Sequence, residues 1–221
     1  MDLLSREGIP FSLRDPRDSL FEGVHIRDLL AFLRLAADPS DLESFGQIYA
    51  KTNAYFSRSV WDFVSRRHQP GKSVFQTLRQ YPGMDGRRLE NLRLSLERIG
   101  KTTPVNGLSL LEDVVGRDYF DSEAACRRLT LLKSMAHQEQ TLSAFLERIR
   151  LLPEIARIAS RQEAPQVILS TLHSSKGLEF PRVALIDLIE NQFPSKRALD
   201  QLPRGNREAY EEEVRLCYVG A

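Results

Sequence analysis

A short polar segment between two apolar runs holds the residues best suited to chemistry. Residues 168–187 read ILSTLHSSKGLEFPRVALID. The apolar residues at 167–169 and 183–186 predict two short strands of a buried parallel sheet. Between them, Lys176 and Gly177 predict a tight polar turn. Because glycine lets the backbone approach a ligand closely and lysine neutralises phosphate charge, this arrangement is typical of a loop with which a nucleotide-driven protein reaches a phosphate.

A second pairing of glycine and lysine, in PGKS at 70–73, does not fit a Walker A phosphate loop. That motif needs a glycine five residues before Gly71, where Arg66 stands. The preceding letters, WDFVSRRH, predict a helix and not the required strand. We therefore expect Gly71 to end one helix and Ser73 to cap the next.

Histidine and cysteine residues are few and predict no metal site. The four histidines have no ligand spacing, and Cys126 and Cys217 lie far apart, which favours a reducing compartment. His173 differs from the other histidines because it follows a predicted strand, where α/β proteins place ligand groups. A hydrolase triad of Ser174, His173 and Asp187 is set aside, since the sequence around Ser174 lacks the G-x-S-x-G elbow.

Helices are predicted for nearly all of the chain between about residues 25 and 160. One helix ends before Pro39, and SDLE at 40–43 predicts a capping box in which Ser40 caps and Glu43 reaches back. A later stripe ends at Gly100, and a short apolar helix is predicted for 108–115. The apolar residues predicted to share a helix face are Ile26, Leu29, Leu30, Leu33 and Ala37 in the first helix and Leu89, Leu92, Leu96 and Ile99 in the stripe.

Strands are predicted only near the two ends of the chain. Residues 8–14 predict an edge strand, QEAPQ at 162–166 predicts a break, and the two strands described above follow it. The last sixteen residues predict a helix with Tyr210, Val214 and Cys217 on one side and acidic residues on the other. We therefore predict an α/β fold whose parallel sheet is interrupted by a large all-α insertion.

Charge is uneven along the chain although the net charge is only +1. Residues 51–101 hold eleven Lys and Arg against four acids, and arginine is the side chain that grips phosphate bidentately. This stretch predicts either a nucleic-acid contact or an ordinary solvated helix face. No signal peptide or membrane-length apolar run is apparent, so we expect a cytoplasmic protein without a membrane partner.

The segment from Thr171 to Phe180 resembles motif V of the UvrD/Rep/PcrA group of superfamily 1 DNA helicases, which runs T-x-H-x-x-K-G-L-E-F. The F-P element at 193–194 and EEEVRLCYVGA at 211–221 are similar to the end of that region and to the start of motif VI. GIPF near the N-terminus and the helices after it resemble the segment between motifs IV and V. The resemblance covers the whole chain, and it implies a C-terminal fragment of such a helicase.

The resemblance implies a domain organisation and a role for several residues. Residues 1–24 and 164–221 would belong to the second RecA-like domain, a partial P-loop NTPase-like sheet, and 25–163 would form the inserted helical subdomain. Thr171, His173 and Ser174 would contact single-stranded DNA, whereas Lys176, Gly177 and Glu179 would contact the nucleotide, with the Glu179 carboxylate on the ribose. Apart from the resemblance, the charge of the basic stretch predicts that Arg58, Arg66 and Arg67 bind DNA.

The chain also departs from the family pattern. TNAYFSRS at 52–59 stands where some family members carry a Gly-Ile-Gly turn, and it keeps Arg58 and hydroxyls without those glycines. The motif VI arginine would fall two positions beyond Ala221, and no Walker A or Walker B motif is found. We therefore expect no catalytic residue in this fragment, no firm binding of ATP or Mg²⁺ by the fragment alone, and use of both by the parent enzyme.

Three functions stay open at this point. The first is a piece of an ATP-dependent 3′→5′ DNA helicase of repair or replication, with single-stranded DNA, a duplex junction and its own first RecA-like domain as partners. The second is the motor portion of a recombination helicase–nuclease. The third is a nonenzymatic DNA-docking module that kept only the fold.

Overall fold

The chain folds into two compact units. The computed structural model describes residues 1–14, 23–121, 123–162, 167–186, 188 and 193–220. A discontinuous unit is made of Met1–Arg17 with Ile155–Ala221, and an inserted unit is made of Asp18–Glu154. Of the predicted α/β fold with a large helical insertion, the mainly helical character and a small parallel sheet are confirmed.

Helices dominate both units. The inserted unit contains α2 to α8 and most of α9, and the discontinuous unit contains the others with both strands. The elements are α1 (Asp2–Arg6), β1 (Phe11–Leu13), α2 (Val24–Ala37), α3 (Leu42–Ile48), α4 (Arg58–Arg67), α5 (Val74–Leu78), α6 (Gly86–Gly100), α7 (Pro104–Ser109), α8 (Glu123–Ala136), α9 (Leu142–Ala159), β2 (Val167–Leu169), α10 (Leu172–Ser175), α11 (Lys196–Gln201) and α12 (Glu208–Gly220). Short 3₁₀ turns occupy Tyr49–Lys51, Leu110–Asp113, Arg117–Asp121 and Leu202–Arg204.

Helix α2 is the centre of the inserted unit. It packs against α3, α6, α7 and α8, so side chains around most of its circumference are buried, whereas Ala37 of the predicted face, at the end of the helix, is exposed. The stripe predicted for α6 is buried as expected, with Leu89, Leu92, Leu96 and Ile99 almost fully covered. Gly100 lets the two helices approach, because a Cβ there would overlap the carbonyl oxygen of Ala36.

A buried carboxylate ties α2 to two turns of the inserted unit. The Asp28 side chain is 2% exposed, and it accepts hydrogen bonds from Lys51 Nζ at 2.5 Å, Gln47 Nε2 at 3.2 Å and the Tyr119 hydroxyl at 3.3 Å. Burial, together with the neighbouring Asp28 carboxylate, raises the pKa of Tyr119. Loss of a partner would leave the buried Asp28 carboxylate unpaired, which is energetically costly. The network therefore fixes the two turns on α2.

Two details of the predicted helices are wrong. Asp41 and not Ser40 caps α3, accepting a hydrogen bond from Ser44 N at 2.9 Å, because the Ser40 amide and hydroxyl both bond to the Asp38 carboxylate. The predicted helix over 108–115 ends at Ser109 and continues as a 3₁₀ turn, since the residues that follow leave the helix to form an antiparallel bridge between Thr52 and Val115.

The described sheet contains two parallel strands. β1 pairs with β2 in the register Phe11↔Val167, Ser12↔Ile168 and Leu13↔Leu169. The predicted strand at 183–186 is wrong: these residues have no strand structure, and Val183 and Ile186 are 53% and 75% exposed. An apolar run forms a strand only where a neighbouring strand can bond to it. In the described sheet, β1 and β2 bond only to each other. The expected full burial of the sheet is also wrong, because Ile168 is exposed.

Helix α12 packs against α10 and against α11 in the discontinuous unit. Leu216 of α12 is buried, whereas Tyr210 and Cys217 of the predicted face are half-buried and Val214 is exposed. The break predicted at 162–166 lies largely outside the described residues. Within the described part of the chain, no helix has both the length and the apolar character needed to cross a bilayer.

Candidate nucleotide and DNA interface

The segment after β2 forms a one-turn helix where the sequence predicted only a turn. Thr171 caps α10, because its Oγ1 accepts a hydrogen bond from Ser174 N at 3.1 Å and donates one to Ser174 Oγ at 2.9 Å. The amide of Ser175 then bonds to the Thr171 carbonyl at 3.1 Å. The threonine and serine predicted to contact DNA are thereby joined to each other, and the cap fixes where the helix begins.

Gly177 ends this helical turn in the left-handed conformation. Its φ is +80°, and a Cβ built on it would meet no atom within 4 Å. The amide of Leu178 bonds back to the Ser175 carbonyl at 3.1 Å and closes the turn. The predicted lysine–glycine turn is therefore present, and it leaves open space above the glycine backbone for a ligand to approach.

Charged and polar groups of this loop face solvent. Thr171, His173, Lys176 and Glu179 are exposed, and Ser174 is half-buried. The loop therefore presents a hydroxyl and an imidazole first, then an ammonium and a carboxylate on either side of Gly177. Such groups can donate to phosphate oxygens and accept from sugar hydroxyls.

Helix α12 supports the neighbouring part of the unit through a contact that the sequence analysis missed. Glu213 accepts hydrogen bonds from Ser195 N at 2.6 Å and from Ser195 Oγ at 2.7 Å, and Ser195 in turn caps α11 by accepting from Ala198 N at 3.2 Å. The sequence pattern predicts that all of the acids of α12 lie on its solvent side. The signal that could have identified this one is the serine that follows F-P, since a serine before a helix needs an oriented hydroxyl.

The basic residues predicted to bind DNA lie on α4 in the inserted unit. Arg58 is exposed and pairs with Asp62 at 3.1 Å, and hydrogen bonds with Tyr49 and Asp62 raise its pKa. The Arg67 guanidinium lies 4.5 Å from the centre of the Phe63 ring. Arg66 is exposed, and the structure describes no ion pair for it. These cations therefore differ in how freely they can turn to a phosphate.

The few acids of the basic stretch pair with Arg58 at the start of α4 and with cations on or beside α6, but not with those at the end of α4. Glu90 lies 2.7 Å from both Arg79 and Arg93, and Glu97 contacts Arg93 at 2.8 Å and Lys101 at 2.5 Å. Hydrogen bonds from Arg93 and Arg79 lower the pKa of Glu90 to about 2. The positive charge that stays available is concentrated on Arg66, Arg67, Lys72, Arg87 and Arg98.

Neither PGKS nor the histidines form a further site in the described residues. Ser73 caps α5 by accepting a hydrogen bond from Phe75 N at 3.3 Å, as predicted. The prediction that Gly71 ends a helix is wrong, because α4 already ends at Arg67 and Gly71 makes a separate turn with φ +78°. Across the described ranges, no group of three or more His, Cys, Asp or Glu side chains could hold a metal ion. The loop after β2 and the basic surface of α4 are thus the two candidate regions.

Comparison with known proteins agrees with the motif around these residues. Residues 126–221 match the model of the UvrD-like helicase C-terminal domain. The chain is 27% identical to the ATP-dependent DNA helicase PcrA of Bacillus subtilis over 90% of this chain and 30% of that protein. It is 29% identical to DNA helicase II of Escherichia coli over 90% of this chain and 31% of that protein, and 27% identical to the ATP-dependent DNA helicase Rep of the same organism over 98% and 35%.

The chain spans about a third of the length of these relatives. All three are DNA helicases by name, and the residues that match the family model include the loop after β2 and α12. These matches confirm the resemblance that the motifs predicted: the chain is similar to the UvrD/Rep/PcrA group of superfamily 1 DNA helicases, and residues 126–221 match the C-terminal domain of UvrD-like helicases.

Proposed function

We propose that this chain is the C-terminal portion of an ATP-dependent 3′→5′ DNA helicase of repair or replication, in which the loop after β2 couples nucleotide binding to single-strand movement. The observation that carries the proposal is the geometry of that loop. An exposed, capped helical turn bearing Thr171 and His173 runs directly into a left-handed Gly177 and an exposed Glu179. The discontinuous unit would be the second RecA-like domain, and the inserted unit would be the helical subdomain.

Three residues of the loop would contact the nucleotide in the proposed site. The open space above Gly177 lets a phosphate approach the backbone, Lys176 supplies an exposed positive charge, and Glu179 can accept a hydrogen bond from a ribose hydroxyl. ATP and Mg²⁺ would supply the phosphoryl chemistry when held between this loop and a second motor domain. The residues of this chain would orient the nucleotide and would not perform the chemical step.

The DNA side rests on the first part of the same loop. His173 is exposed on α10, and the Thr171 and Ser174 hydroxyls lie together at the start of that helix. A movement of α10 caused by a DNA backbone would be transmitted to Gly177 through the intervening helical hydrogen bonds. Coupling of this kind is reciprocal, so each ligand would alter the binding of the other.

Separate substitutions on the two sides test the proposal in a complete helicase that contains this segment. Glu179→Ala should weaken nucleotide binding by about 1.5–3 kcal/mol, because a hydrogen bond to a charged acceptor is lost. His173→Ala should keep nucleotide affinity and reduce the stimulation of ATP hydrolysis by single-stranded DNA. Arg182→Ala serves as a matched control, since it removes an exposed charge just after the same loop. Steady-state ATPase assays with and without single-stranded DNA separate these effects.

Wild-type nucleotide affinity and wild-type DNA stimulation in both variants would contradict the coupling role and favour the DNA-docking alternative. The isolated chain should hydrolyse no ATP, because phosphoryl transfer needs a phosphate cradle, metal ligands and an arginine acting together. DNA-stimulated ATPase of the purified chain that disappears on Lys176→Ala would also overturn the proposal. A nuclease activity in the complete protein would instead support the helicase–nuclease alternative.

The basic surface of α4 supplies the second DNA contact of the proposal. Arg66 and Arg67 stand at the end of α4, where no described acid neutralises them. Reversing both charges should weaken binding to a duplex junction and leave single-strand-stimulated ATPase unchanged. Since counterion release governs such contacts, the difference should be largest at low salt. Unchanged junction affinity at low salt would assign these arginines to a solvated face.

A further inference from the structure

A cavity of about 170 Å³ lies in the inserted unit beside the loop that precedes α4. It is lined by aromatic, aliphatic, thioether and hydroxyl side chains together with one guanidinium and one carboxylate. Among its lining residues are Tyr55, Phe56, Ser57, Tyr81, Met84 and Arg88, which define the Tyr55 pocket. Neither motif V nor the arginines at the end of α4 contribute to it.

Tyr55 is held in a strained conformation at the edge of this pocket. Its φ is +50°, unusual for a residue other than glycine, and its side chain is 56% exposed. The ring lies against Gly116, where a Cβ would stand 3.2 Å from Tyr55 Cε1. A strained and exposed aromatic residue persists only when its surroundings over-determine the backbone, and such residues cluster at functional sites.

Backbone hydrogen bonds supply that constraint. Asn53 N donates to the Val114 carbonyl and Gly116 N donates to the Lys51 carbonyl, both at 2.8 Å, on either side of the bridge between Thr52 and Val115. The Lys51 side chain is in turn paired with the buried Asp28. The Tyr55 loop is therefore joined to the core of the unit, and its ring is presented on a preformed support.

Tyr81, which lines the other side of the Tyr55 pocket, is also held by neighbouring side chains. The Tyr81 hydroxyl lies 3.0 Å from Ser59 Oγ, which lies 2.8 Å from Ser57 Oγ. The Tyr81 ring packs edge-on against Phe63, with their centres 5.3 Å apart. Tyr55 and Tyr81 are thus two of the three aromatic side chains that line this cavity, and aromatic faces of this kind are the platforms on which bases stack in single-stranded nucleic acids.

The charges around the Tyr55 pocket favour an anionic chain. Arg88 lines the pocket, and Arg58 and Arg87 flank it in sequence next to Ser57 and Arg88. The carboxylate of Asp85 also lines the pocket, but it is occupied as the cap of α6 by the amides of Arg87 and Arg88, and it pairs with the Arg88 guanidinium at 3.4 Å. The surroundings keep a positive balance in a stretch whose sequence carries eleven cations against four acids.

The volume of this open cleft indicates the size of group it can hold. An apolar cavity of about 150 Å³ admits one benzene molecule, so a cleft of about 170 Å³ has room for one six-membered ring. We propose that the Tyr55 pocket holds a single unpaired pyrimidine base of DNA, with the base against Tyr55 and Tyr81 and its phosphate toward Arg88. This inference rests on the proposed DNA-binding function, and it names a contact within the inserted unit that would distinguish unpaired from paired DNA.

Fluorescence anisotropy with the 221-residue chain and labelled forked duplexes tests the proposal. The forks carry unpaired arms of either thymidine or deoxyadenosine. Tyr55→Gly removes the ring while relieving the strain at φ +50°, Tyr55→Phe keeps the ring, and Leu94→Ala is the control because Leu94 is exposed on α6 and does not line the pocket. Tyr55→Gly should weaken binding of the thymidine fork about fivefold or more, while the other two variants stay within about twofold of wild type.

A second measurement needs no variant. Irradiation of the wild-type chain with a fork containing 5-iodouracil in the unpaired arm should cross-link the peptide that holds Tyr55 or Tyr81, as mapped by mass spectrometry. Cross-links found only elsewhere, together with unchanged affinity of Tyr55→Gly, would overturn the pocket assignment but not the proposed DNA binding by the basic surface of α4. The same outcome is expected if the Tyr55 loop contacts a protein instead. Equal effects on deoxyadenosine forks would refute the pyrimidine preference. Failure of the wild-type chain to bind any fork at low salt would overturn the proposed DNA binding itself.

Discussion

Two glycines of the discontinuous unit allow the role of the loop after β2 to be measured against a matched background. Gly177 and Gly205 have φ values of +80° and +79°, and a Cβ on either would meet no atom within 4 Å. An alanine in the left-handed region costs about 1–2 kcal/mol, and the reduced freedom of the unfolded chain returns about 0.4–1 kcal/mol. We therefore expect Gly177→Ala and Gly205→Ala to destabilise the chain equally, by about 1 kcal/mol in urea unfolding.

The two variants should differ only in ligand binding. In a complete helicase containing this segment, the methyl group of Gly177→Ala would occupy the space through which a phosphate approaches the backbone, so nucleotide affinity should fall. Gly205→Ala carries the same strain away from that space, and its nucleotide affinity should match wild type. Equal nucleotide affinity in both variants would refute the proposed close approach. A much larger loss of stability in Gly177→Ala would refute the reasoning from open space around it.

Two further comparisons test the packing of each unit by urea unfolding. Glu213→Ala should lower the free energy of unfolding by about 1–3 kcal/mol, because it removes both acceptors that orient the cap of α11. Glu212→Ala loses only a surface pair with an arginine and should lower it by less than about 1 kcal/mol. Equal losses would contradict the support role of Glu213. Gly100→Ala should destabilise the chain by about 1–3 kcal/mol, because its methyl group would overlap the Ala36 carbonyl. Gly86→Ala, at the open start of the same helix, should stabilise the chain by about 0.4–1 kcal/mol. If Gly100→Ala left stability unchanged, α2 and α6 could separate without an energetic cost.

Helices whose apolar residues recur at helical spacing over several turns could be predicted from the sequence. The stripe of α6 from Leu89 to Ile99 repeats at helical spacing, and one face of α2 does the same before Pro39. The sequence could not show that α2 is buried almost all round, since that depends on how many helices pack against it. The motif around Gly177 was recognisable because its residue types and spacing are unusual.

Features that depend on a competing partner could not be predicted. Ser40 is a plausible cap until the Asp38 carboxylate takes its amide and hydroxyl, and the cap moves to Asp41. Residues 183–186 have strand composition without a described strand to pair with. The support that Glu213 gives to Ser195 joins residues 18 positions apart in sequence, and no local pattern marks it.

The parallel pairing of β1 with β2 has a consequence for how the chain folds. The two strands are separated by roughly 150 residues, so forming their ladder first would close a loop whose entropic cost is about 4 kcal/mol or more. The hydrogen bonds inside each helix of the intervening unit join residues four positions apart, and such local contacts form faster than distant strand pairs. We therefore expect the helical insert to become ordered first and to bring the two strands together, so that a destabilised insert would slow the appearance of the sheet and with it the loop that carries Gly177.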